Sequence, residues 1–160
     1  MIERAKEYLI KGKLRAYTLS KEDVFLLKSV TDRDRDLEDM ALLAQSGIKY
    51  DIVFRECEKQ TEVTRRVWEQ ALLSTIEELE AQYNIRIPFK KKLIASTDEA
   101  LLLHYVEDKT KSGPAPLEKI IEDLKKQGIK KSDVVRTAKS LVRKKRIKIL
   151  RGNLVTLRKT

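Results

Sequence analysis

The chain has 160 residues, of which 35 are Lys or Arg and 25 are Asp or Glu, so its formal net charge is +10. A chain of this length forms one medium domain or two small ones. Its single cysteine excludes an intramolecular disulfide, and its single histidine argues against a histidine metal site or a Ser-His-Asp triad. No apolar run approaches the roughly 20 residues of a membrane span and no signal peptide is recognisable, so we expect a soluble, cytoplasmic protein that does not bind membranes.

The positive charge is concentrated at the carboxyl-terminal end of the chain. Gly113 to Thr160 hold 15 basic and 4 acidic residues, whereas the part from Met1 to Ser112 holds 20 basic and 21 acidic residues. This asymmetry predicts a polyanionic partner for the carboxyl-terminal part alone. A charge-rich solvated surface is the simpler alternative. The high content of Lys, Glu and Arg, with few Asn and Gln, also fits a heat-adapted source.

Four short helices and one strand are predicted between Met1 and Gln60. Residues 1–11 carry apolar side chains at helical spacing, whereas the alternation from Lys13 to Leu19 predicts a strand with no obvious partner. Ser20, Thr31 and Asp51 are each expected to cap a helix, because their side-chain oxygens can accept hydrogen bonds from free backbone amides.

A long helix is predicted next, from about Glu62 to Tyr83, because apolar residues recur along one side of it. Asn84 is expected to end this helix, and residues 85–89 are expected to form a loop that folds back onto the core. Residues 1–94 are therefore expected to form a mainly helical domain with one short strand.

This domain contains two motifs: S-x-E-D followed by a hydrophobic residue, beginning at Ser20, and R-x-x-D-x-x-D, beginning at Arg33. With the strand before them and the acidic helix after them, they cover Leu14 to Gln60. The arrangement resembles the later part of small archaeal nucleotidyltransferase-fold proteins, over about residues 1–85. The matching residues are Ser20, Glu22, Asp23, Lys28, Arg33, Asp36, Asp39 and Glu56.

The catalytic motif of those enzymes is missing. They hold metal ions with a Gly-Ser turn followed by a D-x-D or D-x-E pair on a strand, and neither occurs before Leu14. Asp32, Asp34 and Asp36 do alternate, but residues two apart on a helix point away from each other. We therefore predict no catalytic residue, metal site or cofactor. The resemblance implies an inactive or incomplete nucleotidyltransferase-fold component, or a truncated enzyme.

The remainder of the chain predicts three helices followed by a β-hairpin. Ser96 and Glu99 are expected to form a capping box at the start of the first helix. The second helix is expected to begin near Pro116 and to end at Gly128. Ser132 is expected to cap the third helix.

Two short strands, 146–150 and 154–157, close the chain through the turn Arg151-Gly152-Asn153. Three helices followed by a hairpin resemble the winged helix-turn-helix domain of many bacterial and archaeal regulators, over residues 95–160. The predicted fold class is therefore mainly α, with a helical amino-terminal domain and a carboxyl-terminal winged helix-turn-helix.

The third helix of this unit presents polar and basic side chains opposite its apolar side. The resemblance implies that it is a recognition helix, and its Arg136 can take O6 and N7 of a guanine together. The other residues predicted to contact DNA lie on this helix, just before it, or in the hairpin: Lys130, Lys131, Ser132, Thr137, Lys139, Ser140, Arg143, Lys144, Lys148, Arg151 and Arg158.

Together these observations predict a non-enzymatic protein that binds double-stranded DNA, as a transcriptional regulator does, and dimerises through the helix at 62–83. Winged helices also serve as protein-contact modules, but the net charge of +11 from Gly113 to Thr160 favours nucleic acid. Duplex DNA is favoured over RNA, because no aromatic side chain lies among the basic ones to stack on unpaired bases. Lys90, Lys91 and Lys92 are either a solvated junction or an extra phosphate contact.

Overall fold

The computed structural model describes residues 4–9, 15–31 and 33–158. This part of the chain forms seven α-helices and two small sheets, one of two strands and one of three. It divides into two compact units, Met1–Leu93 (unit 1) and Ile94–Thr160 (unit 2). Within the described residues, no helix is long and apolar enough to cross a membrane.

Unit 1 begins with a hairpin of β1 (Lys6–Leu9) and β2 (Arg15–Thr18), paired antiparallel from Lys6 opposite Thr18 to Leu9 opposite Arg15. The helix predicted for residues 1–11 is therefore wrong over β1, and the strand predicted without a partner has one. Both errors have one cause: a helix this short is marginal alone, whereas pairing satisfies the backbone groups of both segments.

Four helices follow in unit 1: α1 (Lys21–Lys28), α2 (Asp34–Gln45), α3 (Tyr50–Thr64) and α4 (Trp68–Tyr83). The predicted Ser20 cap is confirmed, since its hydroxyl accepts the backbone N–H of Asp23 at 3.1 Å. The caps predicted at Thr31 and Asp51 are wrong. Arg33 and Lys49 hold the N-cap positions without a side-chain hydrogen bond.

The long helix predicted over 62–83 is interrupted. Arg65 adopts the left-handed conformation at the end of α3, with φ of 57°, and α4 begins three residues later. The backbone N–H of Trp68 donates to the hydroxyl of Thr61 at 3.0 Å, which satisfies a free amide at the start of α4. Asn84 ends α4 in the left-handed region, as predicted.

The core of unit 1 lies among these four helices. Its largest fully buried side chains are Phe25, Leu26, Met40, Phe54, Leu72, Ile76 and Leu79, together with Leu93 from the first turn of the helix that follows. Each buried side chain of this size contributes about 1.5–3 kcal/mol through removal of apolar surface from water. Ile87 is also buried, and Ile85 and Phe89 pack against the core, so the predicted loop over 85–89 does fold back.

Unit 2 contains α5 (Lys90–Lys109, which starts within the last residues of unit 1), α6 (Leu117–Lys126) and α7 (Lys131–Arg143). The capping box predicted at Ser96 and Glu99 is wrong, because both residues lie inside α5. Lysine is a good helix former, so the helix already begins at Lys90, before the start predicted at Ser96. The Ser132 cap is also wrong, since Lys130 is the N-cap residue.

The sheet of unit 2 has the strand order β3 (Ala115–Pro116), β5 (Leu154–Leu157), β4 (Ile147–Ile149), all antiparallel. The hairpin of β4 and β5 turns through Gly152 and Asn153, which both have positive φ, as predicted. The short strand β3 was not predicted. The hairpin of β4 and β5 is called the wing below. Three helices followed by this wing confirm the predicted fold class: mainly α, with a winged helix-turn-helix at the carboxyl end.

Candidate nucleic-acid interface

The outward face of α7 is a stripe of polar and basic side chains. Ser132, Arg136, Lys139 and Arg143 follow one another at helical spacing, and all four are exposed. On the opposite side α7 buries Val134, Thr137, Ala138 and Leu141 in the core of unit 2. The four exposed residues, called the α7 stripe below, were all predicted to contact DNA.

Thr137 does not belong to this surface. It is 6 % exposed, and it lies one helical turn from both Val134 and Leu141 on the buried side of α7. Its predicted contact with DNA is therefore wrong. The sequence pattern placed Thr137 beside the outward face, whereas the helix turns it inward.

Arg136 is held at the amino-terminal end of the stripe by a neighbouring carboxylate. Its guanidinium lies 2.9 Å from the carboxylate of Asp133, one turn earlier, and its side chain is 72 % exposed. Asp98 of α5 also lies near this pair. Burial and the charge of Asp133 raise the pKa of Asp98, while Arg136 acts in the opposite direction. Arg136 is thus oriented by Asp133 but remains open to solvent.

Ser140 and Lys144, at the carboxyl-terminal end of α7, are both engaged by Glu99 of α5. The Ser140 hydroxyl donates to Glu99 Oε1 at 2.9 Å. The Lys144 ammonium donates to both carboxylate oxygens of Glu99, at 2.8 and 2.7 Å. These two predicted DNA contacts are therefore occupied within the unit. Sequence reasoning missed this role of Glu99, because it treated the residue as part of a capping box.

The wing presents basic side chains on one face. Lys148 is paired with Thr156 in the ladder, and this pair points away from the side of Ile147 and Val155, which are buried. Beyond the ladder, the backbone N–H of Arg158 donates to the carbonyl of Arg146 at 3.0 Å. Two arginines therefore stand opposite each other, an arrangement that repels in the absence of an anion. Arg146 was not among the predicted contacts.

The wing tip is fixed to the start of α6. The backbone N–H of Leu117 donates to the carbonyl of Asn153 at 3.0 Å, and the Asn153 side chain donates to Glu118 at 3.0 Å. Arg151, in the turn itself, is exposed. The tip thus carries a cation on a braced turn.

Most cations of α7 and the wing have no acidic partner. In the part of the chain that the structure describes, no ion pair involves the following exposed residues: Lys130, Lys131, Lys139, Arg143, Lys145, Arg146, Lys148, Arg151 and Arg158. Like charges gathered without partners destabilise a fold, so this surface favours an external anion. All but Lys145 and Arg146 were predicted from the sequence.

The three lysines at the start of α5 are placed differently. Lys90 contacts Glu80 at 2.6 Å, and the Lys92 ammonium lies 4.0 Å from the centre of the Phe54 ring. Both side chains are therefore engaged within unit 1, which favours a structural role over the extra phosphate contact considered above.

Five of the residues that carry the resemblance to nucleotidyltransferase-fold proteins form internal ion pairs: Asp23, Lys28, Asp36, Asp39 and Glu56. Arg4 joins two buried carboxylates, those of Asp23 and Glu56. Burial alone would raise the pKa of Glu56, but hydrogen bonds from Arg4 and Gln60 outweigh it and lower that pKa to about 2. These ion pairs join Arg4, which lies just before β1, to α1 through Asp23 and to α3 through Glu56.

A second group joins α1 to α2. The Lys28 ammonium lies 2.6 Å from Asp36 and 2.7 Å from Asp39, and the Thr31 hydroxyl donates to Asp36. Lys28 and Thr31 lower the pKa of Asp36. Across the described ranges, no group of three or more His, Cys, Asp or Glu side chains is placed to hold a metal ion.

Comparison with known proteins gives no match: no protein-family model, no curated protein and no solved structure corresponds to the chain.

Proposed function

We propose that the chain binds double-stranded DNA through α7 and the wing. The observation that carries this proposal is the set of exposed cations on these two neighbouring elements of unit 2 that have no acidic partner among the residues the structure describes. Phosphate contacts from such cations supply most of the sequence-independent affinity of DNA-binding proteins.

The α7 stripe is suited to the major groove. A B-DNA major groove admits one α-helix, and recognition helices read base edges near their amino-terminal half. Arg136 lies in that half and is exposed, so its fork is available to a guanine. Lys139 and Arg143 follow on the same face and are assigned to phosphates, together with Lys130 and Lys131 at the helix start.

The wing adds contacts beside the groove. Lys148, Arg146 and Arg158 are assigned to the phosphate backbone, and Arg151 at the tip to the adjacent minor groove or its phosphates. One bound phosphate would relieve the repulsion between Arg146 and Arg158, so this relief adds to the binding free energy. A role in transcription regulation and a homodimer through unit 1 stay predictions.

Fluorescence anisotropy with a labelled random duplex, at salt concentrations from low to physiological, tests this proposal. We expect measurable affinity at low salt and a linear fall of log K with log salt concentration, by a slope of about −0.9 per phosphate contact. Absence of binding at low salt, or binding that ignores salt, would overturn the proposal.

A matched pair of double variants locates the surface. Lys139→Gln with Arg143→Gln removes two charges from the α7 stripe, whereas Lys59→Gln with Arg66→Gln removes the same two charge types from exposed positions of unit 1. We expect the first variant to flatten the salt slope by about 2 and the second to leave it unchanged. Equal effects of the two variants would contradict the assignment.

The proposal gives the carboxylates of unit 1 a structural role, through the ion pairs of Arg4 and Lys28. Transfer of a labelled nucleotide by the purified chain in the presence of Mg²⁺ or Mn²⁺ would instead point to nucleotidyltransferase chemistry, and it would overturn the assignment of unit 1.

A further inference from the structure

Glu99 of α5 occupies the end of the candidate interface in a specific way. It accepts one hydrogen bond from a hydroxyl, that of Ser140, and two from an ammonium, that of Lys144. Hydroxyls and ammonium groups are the same donors that bind phosphate oxygens at protein–DNA interfaces. The Glu99 carboxylate therefore holds these side chains as a backbone phosphate would.

The position of Lys144 makes this competition possible. Its side chain is 57 % exposed, whereas that of Glu99 is 26 % exposed, so the lysine lies at the surface and its partner lies beneath it. Lys144 also stands beside Arg143, Lys145 and Arg146, none of which has an ion pair within the described ranges. In this run of cations, Lys144 is therefore already neutralised by Glu99 when a nucleic-acid strand binds.

We propose that Glu99 competes with a backbone phosphate for Ser140 and Lys144, and so limits the sequence-independent affinity of the α7 surface for nucleic acid. This inference rests on the proposed DNA-binding function. Because phosphate contacts raise affinity for every sequence alike, withholding one of them increases the share of the binding free energy that base contacts such as those of Arg136 decide. Glu99 thereby acts as a specificity-determining residue that contacts no base.

The test compares Glu99→Gln with Asp108→Asn in the full chain. Each variant removes one carboxylate from α5 and each frees one lysine, because Asp108 contacts Lys111 at 2.8 Å. Within the described ranges, Glu99 hydrogen-bonds to Ser140 and Lys144, whereas Asp108 pairs with Lys111, so Asp108→Asn matches the change in charge without altering a contact of Ser140 or Lys144. The probe is a labelled random duplex, measured by anisotropy at several salt concentrations.

We expect Glu99→Gln to bind the random duplex about five-fold more tightly near 0.15 M salt and to steepen the salt slope by about 0.9, which is the effect of one added phosphate contact. Asp108→Asn is expected to keep the wild-type slope. In a Lys144→Gln background the Glu99→Gln substitution should give no gain, since no lysine remains to be freed.

Several results would overturn the inference. Equal gains in Glu99→Gln and Asp108→Asn would show a general charge effect, and weaker binding by Glu99→Gln would show that Glu99 supports the interface. If the wild type binds duplex with the expected salt dependence while Glu99→Gln changes nothing, this inference fails and the proposed function stands. If neither protein binds at low salt, both fail.

If urea titration shows that Glu99→Gln is not folded in the absence of denaturant, two lysine variants test the inference instead. A lysine already held by Glu99 contributes little to the wild-type salt slope. We therefore expect Lys139→Gln to flatten that slope by about 0.9 and Lys144→Gln to leave it close to the wild-type value. Equal flattening by the two substitutions would contradict the competition.

Discussion

Gly128 and Lys145 occupy the same position in two successive helix-ending turns. Each is the first residue beyond the cap of its helix, α6 or α7, and each has positive φ, 84° and 58° respectively. In both turns the first two backbone N–H groups beyond the cap donate hydrogen bonds to carbonyls of the last helical turns. Gly128 N–H donates to Lys125 and Ile129 N–H to Leu124 after α6, and the equivalent bonds after α7 run from Lys145 and Arg146. These are two Schellman motifs, one with the preferred glycine and one without it.

Lys145→Gly should therefore stabilise the protein. A side chain in the left-handed region costs about 1 kcal/mol relative to glycine, and this cost is removed by the substitution. We expect the free energy of unfolding in urea to rise by about 1 kcal/mol, and the affinity for duplex DNA to fall slightly, because one cation is lost.

Gly128→Ala supplies the opposite case. Among the described residues other than Gly128 and its two chain neighbours, no heavy atom lies within 4 Å of the position that a Cβ would take at Gly128, so only the backbone conformation is penalised. We expect a loss of about 1 kcal/mol in the free energy of unfolding, with no change in the salt slope of DNA binding. A stabilised Gly128→Ala or a destabilised Lys145→Gly would contradict this account of the two turns.

Replacing Arg146 with glutamate should separate stability from binding. The substitution turns a repulsive cross-strand neighbour of Arg158 into an attractive one, for a gain of about 0.5 kcal/mol in the free energy of unfolding. It also removes a cation from the wing and adds an anion, so DNA affinity should fall by more than in Lys145→Gly. Urea titration and anisotropy on the same preparations measure both effects, and a loss of stability would show that the arginines do not repel.

Arg4→Met should destabilise unit 1 by about 3 kcal/mol, because it leaves two buried carboxylates, Asp23 and Glu56, without their shared cation. The pH dependence should change as well. In the wild type the pKa of Glu56 is lowered to about 2, so the stability from this group is complete above its ordinary pKa and is lost as pH falls from about 4.5 to 2.

In Arg4→Met the burial of Glu56 acts with less opposition, so its pKa rises from the wild-type value toward its ordinary one, and the loss of stability between pH 4.5 and 2 becomes smaller. Urea titrations at several pH values between 2 and 7 measure the change. An Arg4→Met variant that keeps the wild-type pH profile would contradict the role assigned to Arg4.

Glu69 provides a pH effect of the opposite sign. It is 2 % exposed at the start of α4, and burial raises its pKa, although the Thr61 hydroxyl donates a hydrogen bond to it. Its folded form therefore resists ionisation, and stability is lost as pH rises through the raised pKa. We expect Glu69→Gln to be more stable than the wild type at pH 7 and to lose this advantage at pH values below about 4.5. A Glu69→Gln variant that is less stable at pH 7 would contradict this.

Sequence reasoning predicted the carboxyl-terminal unit better than the amino-terminal one. Helix α6 and the wing have strong local signals: regular apolar spacing, Gly128 at a helix end, and a turn at Gly152-Asn153 that tolerates positive φ. In unit 1 the strand β1 has no such signal. Its apolar residues fit helical spacing, and only pairing with β2, which lies further along the chain, decides its conformation.

The candidate interface was predicted in outline but not in its internal pairing. Alternation of apolar and basic residues along α7 is a local pattern, and it identifies the exposed cations. The contacts of Glu99 with Ser140 and Lys144 join residues 41 and 45 positions apart, and no local pattern contains them. Thr137 was misplaced because it lies at the edge of the buried side, where a small rotation of the helix decides its exposure.

The two-residue strand β3 has a mechanical consequence. Together with the hydrogen bonds that join Asn153 to Leu117 and Glu118, it ties the hairpin tip to the start of α6 through both backbone and side chain. Arg151 therefore lies on a turn that backbone and side-chain hydrogen bonds hold in place. A nucleic-acid partner can contact Arg151 with little loss of loop conformational entropy. The distance between the wing tip and the start of α6 is already fixed in the free protein.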